Sequence, residues 1–225
     1  MIKVFLIIIA GGLMGATVAS AIPSSGLMTV NGSPLEYDYG GQFTASVAGY
    51  APFQTYCIEI QHDFSLGETV DYTLGQTTHG APPNTAAPFL NAGAAWLFSQ
   101  FNSGGLGALT PATPTQAGEL QAALWYFQGQ GTPDSAYSGP GFGYGLPGAD
   151  AYTDLADSVL GASFINPLAP IAGSFGVDVI QSSHLSGGPA QDWLYAGPVP
   201  DGGMTAGLLG SALIGVQLLR RKLVS

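Results

Sequence analysis

The chain has 225 residues, of which 46% are hydrophobic and 11% aromatic, and it carries a formal net charge of −10. This composition supports a hydrophobic core and excludes a chain that is disordered by composition. The acidic balance argues against nucleic acid and anionic lipid surfaces as partners. All four basic residues lie at the two ends, because no Lys or Arg occurs between positions 22 and 219.

The first 21 residues have the order of parts that is typical of a signal peptide. Lys3 provides the charged start, 4–14 form an apolar run, and Ala19-Ser20-Ala21 is a small-residue cleavage site. The sequence therefore predicts an exported protein whose mature chain begins near Ile22.

Residues 22–198 form a single domain's length of chain. Strand signals occupy 26–75 and 171–197, and helical signals lie between them. The predicted helices cover 88–101, 114–128 and 149–160. This order predicts an α+β domain, in which the N- and C-terminal β-strands form a sheet or sandwich with a central helical subdomain.

The last 27 residues, 199–225, form a third region with three parts. The motif Val199-Pro200-Asp201-Gly202-Gly203 precedes an apolar segment at 204–219, and Arg220, Arg221 and Lys222 follow in the tail at 220–225. As a helix, the apolar segment would be about 24 Å long, and it predicts one C-terminal transmembrane helix. The three cations are expected to act as a cytoplasmic stop. A plain membrane anchor and a sorting signal both agree with this order.

The tail resembles the PEP-CTERM sorting signals of Gram-negative bacteria, in the variant where Val-Pro-Asp-Gly-Gly replaces Val-Pro-Glu-Pro. The resemblance implies an exosortase-type processing enzyme as a partner and removal of the apolar segment. It also implies transient residence in the inner membrane, followed by release to the cell surface or to an exopolysaccharide-containing matrix.

Cys57 is the only cysteine, so the chain cannot form an internal disulfide. Strand alternation places Tyr56, Ile58 and Ile60 on one face and Cys57 and Glu59 on the other. We expect this second face to lie toward the helices. The alternative is a buried structural thiol that packs as a small hydrophobe.

Gln121 lies at the edge of the apolar stripe of the second predicted helix, on the same face as Leu124 and Trp125. An uncharged amide in this position needs hydrogen-bond partners if it is buried. A bond to a helix end or to a loop would satisfy it without any chemistry.

Together, Tyr56-Cys57-Ile58-Glu59 and Gln121-Ala-Ala-Leu-Trp125 resemble two motifs of bacterial thioester domains, the cysteine strand and the Thr-Gln-x-Ala helix. Leu120 replaces the Thr. The nearby Thr115-Gln116-Ala117-Gly118 lacks the aliphatic-Trp pair that follows the motif, and Gln121 is therefore the better match. Phe53–Glu59, 95–101, 120–127 and 191–194 extend the resemblance to exported sorting-signal proteins.

This resemblance implies that Cys57 and Gln121 form an internal thioester with loss of ammonia. An amine or hydroxyl of an extracellular polymer or another surface nucleophile would then take the acyl group and become covalently attached. Such adhesion works once per molecule, so the chain is not expected to be an enzyme with catalytic residues. The alternative is a non-reactive structural component of the extracellular polymer layer.

Other chemistry receives weak support from the sequence. The three histidines, His62, His79 and His184, are scattered, which argues against a cysteine–histidine hydrolase. No spacing indicates a metal site or a calcium loop. The glycine-rich loops contain no Lys for a nucleotide phosphate. We therefore expect no metal and no cofactor.

Overall fold

The structure is a computed structural model, and it describes residues 21–37, 40–60, 62, 64–79, 89–130, 148–161 and 174–197. Residues 1–20 of the predicted signal peptide lie outside this part of the chain. The same is true of the predicted sorting motif at 199–203, the apolar segment at 204–219 and the basic tail. Ile22, the predicted first residue of the mature chain, is buried, and its N–H donates to the Tyr195 hydroxyl at 3.1 Å.

The described residues form six strands and three α-helices. The strands are β1 Ser25–Tyr37, β2 Gly40–Val47, β3 Phe53–Thr55, β4 Thr69–Gly75, β5 Val177–His184 and β6 Trp193–Ala196. The helices are α1 Ala92–Ser103, α2 Pro114–Phe127 and α3 Ala149–Leu160. Helix α2 begins at Pro114, as the sequence predicts, with the Thr113 hydroxyl as its N-cap.

All six strands belong to one antiparallel sheet in the order β3-β2-β1-β4-β5-β6. The pairing of β4 with β5 joins the N-terminal and C-terminal strands, with Tyr72 opposite Ser182. The sheet then curls until its two edge strands meet. The hydroxyl of Thr55 donates to Leu194 O at 2.7 Å, and Leu194 N–H donates to Tyr56 O at 3.1 Å.

This architecture shows that the fold-class prediction is wrong. The described residues form neither a sandwich nor a separate helical subdomain, because their strands form one curled sheet on which α1 and α2 pack, with α3 against these two helices. Strand alternation identifies which face of a strand is apolar, but it does not identify the neighbouring strand. The pairing of β4 with β5, across about 100 residues of chain, was therefore not visible in the pattern.

The predicted fold class also included one C-terminal transmembrane helix at 204–219, and this segment lies outside the described residues. Among the residues that the structure describes, no helix has both the length and the apolar character needed to cross a membrane.

Two buried clusters result from the curling of the sheet. The outer cluster lies between the sheet and the helices, and it includes Tyr56, Ile58, Leu97, Leu124, Tyr152 and Leu194. The inner cluster lies within the curl of the sheet, and it includes Met28, Phe43, Cys57, Trp125, Ile180 and Trp193. Because neighbouring residues of a strand point to opposite faces, the segment at 56–58 contributes to both clusters.

Helices α1 and α2 meet closely at Gly93, near the start of α1. An added Cβ at this position would lie 2.7 Å from the Cγ and Cε1 atoms of the Phe127 ring. The absence of a side chain therefore allows the end of α2 to approach α1, which sets the position of α2 on the sheet.

We predict that Gly93→Ala lowers the free energy of unfolding by about 1–3 kcal/mol through overpacking, despite the higher helix propensity of alanine. Phe127→Leu in the same background should restore part of the loss, because it removes the ring atoms that the new methyl group meets. Denaturant unfolding of both variants measures the effect. A Gly93→Ala protein that is more stable than the wild type would contradict the close approach.

Candidate functional site

Cys57 lies just beyond β3, on the segment that bonds to β6. Its side chain is 1% exposed and packs in the inner cluster, and its backbone forms an isolated bridge with Trp193. The expectation that Cys57 faces the helices differs from the structure, because Tyr56 and Ile58 occupy that side. Burial raises the pKa of the Cys57 thiol well above its ordinary value, so the thiol is neutral near neutral pH.

The side chain of Gln121 reaches Cys57 from α2 and pairs with both of its peptide groups. Cys57 N–H donates to Gln121 Oε1 at 3.1 Å, and Gln121 Nε2 donates to Cys57 O at 2.7 Å. Gln121 is itself 1% exposed. Both polar atoms of the Gln121 amide are thus held by the backbone of Cys57.

Helix α2 can bring Gln121 to this position because it packs over the start of β2, where the chain carries a glycine. An added Cβ at Gly40 would lie 3.1 Å from Gln121 Cγ and 3.2 Å from a ring carbon of Trp125. Both distances are shorter than ordinary carbon contacts, so a side chain at this position would displace Gln121 or Trp125. Gly40 is therefore part of the site, although the sequence analysis did not single it out.

Gln116, the other glutamine considered for the thioester, lies elsewhere and has a structural role. Its side-chain oxygen accepts a hydrogen bond from Ala112 N–H at 2.9 Å, next to the Thr113 cap of α2. The structure thus brings Gln121 to Cys57 and uses Gln116 at the helix N-terminus.

Two further glutamines bind the backbone in a related way. Gln130 Oε1 accepts from Ile60 N–H at 2.7 Å, and Gln130 Nε2 donates to Ile58 O at 3.0 Å. Gln128 similarly bridges Asn91 N–H and Phe89 O. Side-chain amides from α2 and its C-terminal end therefore supply hydrogen bonds that a neighbouring strand would otherwise make.

Next to Cys57, the structure buries two carboxylates that the sequence analysis did not bring together. The side chains of Glu59 and Asp192 are both 0% exposed. Burial, followed by the nearby charge of Asp192, raises the pKa of Glu59. Backbone bonds link the two segments, because Ile58 N–H donates to Asp192 O at 3.0 Å.

Each buried carboxylate binds a histidine that is partly exposed. His62 Nδ1 lies 2.6 Å from Glu59 Oε2, and His79 Nδ1 lies 2.8 Å from Asp192 Oδ1. His79 N–H also donates to Asp192 Oδ2 at 2.7 Å. The hydrogen bond to Asp192 raises the pKa of His79, and the charges of Asp192 and Glu59 act in the same direction.

The third histidine also binds a carboxylate, because His184 Nδ1 lies 2.6 Å from Glu68 Oε1. All three histidines of the chain are thus committed to acids, and the structure shows no contact between Cys57 and any of them in the described residues. One sequence signal could have indicated this arrangement. A body without Lys or Arg has only histidine side chains to compensate a buried acid.

Within the described residues, no group of three or more His, Cys, Asp or Glu side chains is arranged to hold a metal ion. The site is therefore a carboxamide fixed on the backbone of a cysteine whose thiol is buried, with two acid–histidine pairs on the neighbouring chain segments.

We predict that Gln121→Leu in a Cys57→Ala background lowers the free energy of unfolding by about 2–4 kcal/mol, because it leaves the buried N–H and C=O of residue 57 without partners. The background prevents any acyl–sulfur bond from adding to the effect. As a matched control, Gln116→Leu removes a more exposed helix-end bond and should cost about 1 kcal/mol or less. Equal losses in urea unfolding would show that the Gln121 pairing is not formed.

Comparisons with protein-family models, with curated proteins and with solved structures find no match to this chain.

Proposed function

We propose that this chain is an exported bacterial surface or extracellular-matrix protein that attaches covalently to amines or hydroxyls through a thioester between Cys57 and Gln121. The observation that carries the proposal is the placement of the Gln121 amide on both peptide groups of Cys57. A second support is the resemblance of the Cys57 strand and the Gln121 helix to bacterial thioester domains.

The hydrogen bonds of the amide favour attack at its carbon. Cys57 N–H binds the amide oxygen, where negative charge develops as a nucleophile adds to the carbonyl. The bond from Nε2 to Cys57 O fixes the plane of the amide and holds the nitrogen that must leave. The same residue thus supplies the nucleophile, a donor to the oxyanion and an acceptor for the leaving group.

The chemistry balances without a cofactor or an oxidant. The Cys57 sulfur forms a bond to the Gln121 amide carbon, the carbon–nitrogen bond breaks, and the nitrogen leaves as ammonia with the thiol proton. In the second step an amine or hydroxyl attacks the same carbon, and the thiolate leaves and takes up a proton. Each molecule can react once, because the glutamine carbonyl stays attached to the partner.

Burial slows the formation of the thioester but protects the thioester once it has formed. The raised pKa of the thiol makes the thiolate scarce and slows the formation of the bond. The thioester itself is uncharged, so burial carries no desolvation penalty for it and keeps water away from the acyl carbon. A slowly formed, long-lived thioester suits a protein that must remain reactive until it meets its partner.

The composition of the body also suits this function. No Lys occurs between positions 22 and 219, so the body offers no lysine amine that could consume the thioester within or between copies. The sorting motif Val199-Pro200-Asp201-Gly202-Gly203 adds an exosortase-type enzyme as the proposed processing partner. The proposed destination is the cell surface or the extracellular matrix.

A second function is favoured by the other two glutamines. Gln128 and Gln130 make backbone hydrogen bonds of a related kind to residues that are not cysteines. If Gln121 has the same structural role, the chain is a non-reactive component of the extracellular polymer layer, in which Cys57 and Gln121 only pack.

Intact mass separates the two functions. For the proposed function, the freshly purified protein is lighter than its sequence mass by one ammonia, and incubation with methylamine adds the mass of one amine. Cys57→Ala and Gln121→Ala should each abolish the deficit and the adduct, because one removes the leaving group and the other removes the acyl carbon.

The matched control is Gln130→Ala, which removes a neighbouring backbone-binding glutamine and should keep both the deficit and the adduct. A wild-type protein of full mass with a titratable thiol, prepared near neutral pH without amine buffers, would falsify the covalent function and leave the structural one.

A further inference from the structure

We propose that the Glu59–His62 and Asp192–His79 pairs form a protonation-dependent latch on the Cys57 segment, closed while His79 is charged and open when it loses its proton. The proposal concerns access to the segment at 57–60, and this access does not depend on whether a thioester forms. Its consequence for acyl transfer does rest on the proposed function.

The two pairs lie on the two chain segments that hold Cys57. Glu59 is two residues beyond Cys57, and Asp192 immediately precedes Trp193, the bridge partner of Cys57. Further bonds tie these segments together, since Gln191 Nε2 donates to Glu59 O at 2.8 Å and to Asp192 O at 3.0 Å. A change in charge at Glu59 or Asp192 therefore acts directly on the backbone around Cys57.

Few titratable side chains surround the segment at 57–60, and they lie close to one another. The titratable side chains that the described residues bring together here are Glu59, His62, His79 and Asp192, and the rings of the two histidines are 6.2 Å apart between centroids. Thr78 adds an uncharged hydrogen bond to Glu59. Ser182 N–H donates to Asp192 Oδ1 at 3.0 Å.

Only the histidines can supply positive charge to the two buried acids, because the described residues include no Lys or Arg. The side chain of His79 is 30% exposed, so it exchanges protons with solvent. When His79 is neutral, the buried Asp192 loses its charged partner, and its charge also acts on the buried Glu59. A buried carboxylate without a charged partner raises the free energy of the folded segment, and exposing the segment to water lowers that cost.

The direction of the pH effect follows from the two pKa shifts. The pKa of His79 is raised above 6.5, so its stabilisation is fully present below that value and is lost as the pH rises through the folded pKa. The pKa of Glu59 is also raised, so the folded segment favours the protonated acid. Both groups therefore favour the closed segment at acidic pH and the open segment at alkaline pH.

Hydrogen exchange of individual amides tests the latch. Cys57 N–H, Ile58 N–H and Ile60 N–H bind Gln121, Asp192 and Gln130 respectively, so they report directly on opening of the segment. Their protection factors, corrected for the intrinsic pH dependence of exchange, should fall by roughly tenfold or more between about pH 5.5 and about pH 8.5. The Ala95 amide in α1 is the internal reference and should change much less.

Two variants give opposite predictions. His79→Gln cannot carry charge, so protection at 57–60 should already be low at acidic pH. Glu59→Gln removes one of the two buried charges, so protection at alkaline pH should exceed that of the wild type. His184→Gln is the matched control, because its partner Glu68 belongs to a different pair, and it should keep the wild-type profile.

No acyl–sulfur bond can form in Cys57→Ala. Repeating the exchange measurement in this variant therefore separates an effect of the latch from an effect of the thioester. The latch predicts the same pH dependence in that protein. Protection factors at 57–60 that do not change with pH, or that fall only in step with Ala95, would overturn the proposal. If a variant does not fold, the pH dependence of the protection factors at 57–60 in the wild-type protein still supports or overturns the latch.

Discussion

The fold depends on the partners that bind the backbone N–H and C=O groups at 56–60, the segment that follows β3. On one side this segment binds the C-terminal strand β6 and the residues just before it, and this contact closes the curled sheet. On the other side the part of the chain that the structure describes contributes no strand, and the side-chain amides of Gln121 and Gln130 bind there. Buried peptide groups must find partners, so this requirement fixes α2 over the sheet and places a carboxamide on Cys57.

The same requirement explains how one pair of residues, Cys57 and Gln121, can combine a structural role with the proposed reactive role. An amide that binds both peptide groups of a cysteine is held as a rigid hydrogen-bonding group, and it lies next to the residue that carries the thiol. The neighbouring acids add a second constraint, because Glu59 and Asp192 are buried in a body without Lys or Arg. Histidine protonation thus links the charge balance of the fold to the strand that carries the thiol.

Local features of the fold could be predicted from the sequence. The alternation of Tyr56, Cys57 and Ile58, the helix start at Pro114 and the choice of Gln121 over Gln116 all follow from spacing, capping preference or the resemblance of short motifs. The alternation fails at Ile60, which packs with the cluster of Cys57 and not with Tyr56 and Ile58. Long-range features could not be predicted. The contact of Asp192 with Ile58 joins residues from opposite ends of the domain, and no periodic pattern encodes such a partner. The closure of the sheet and the carboxylate–histidine pairs both depend on contacts of this kind.

The central claim is that the Gln121 amide lies on the peptide groups of residue 57. Through-hydrogen-bond scalar coupling in the Cys57→Ala protein tests it most directly, because the backbone N–H remains while no thioester can form. The account predicts a coupling between the residue 57 amide nitrogen and the Gln121 side-chain carbonyl carbon, with slow solvent exchange of the Gln121 carboxamide protons. No coupling, together with carboxamide protons that exchange as fast as those of an exposed glutamine, would contradict it.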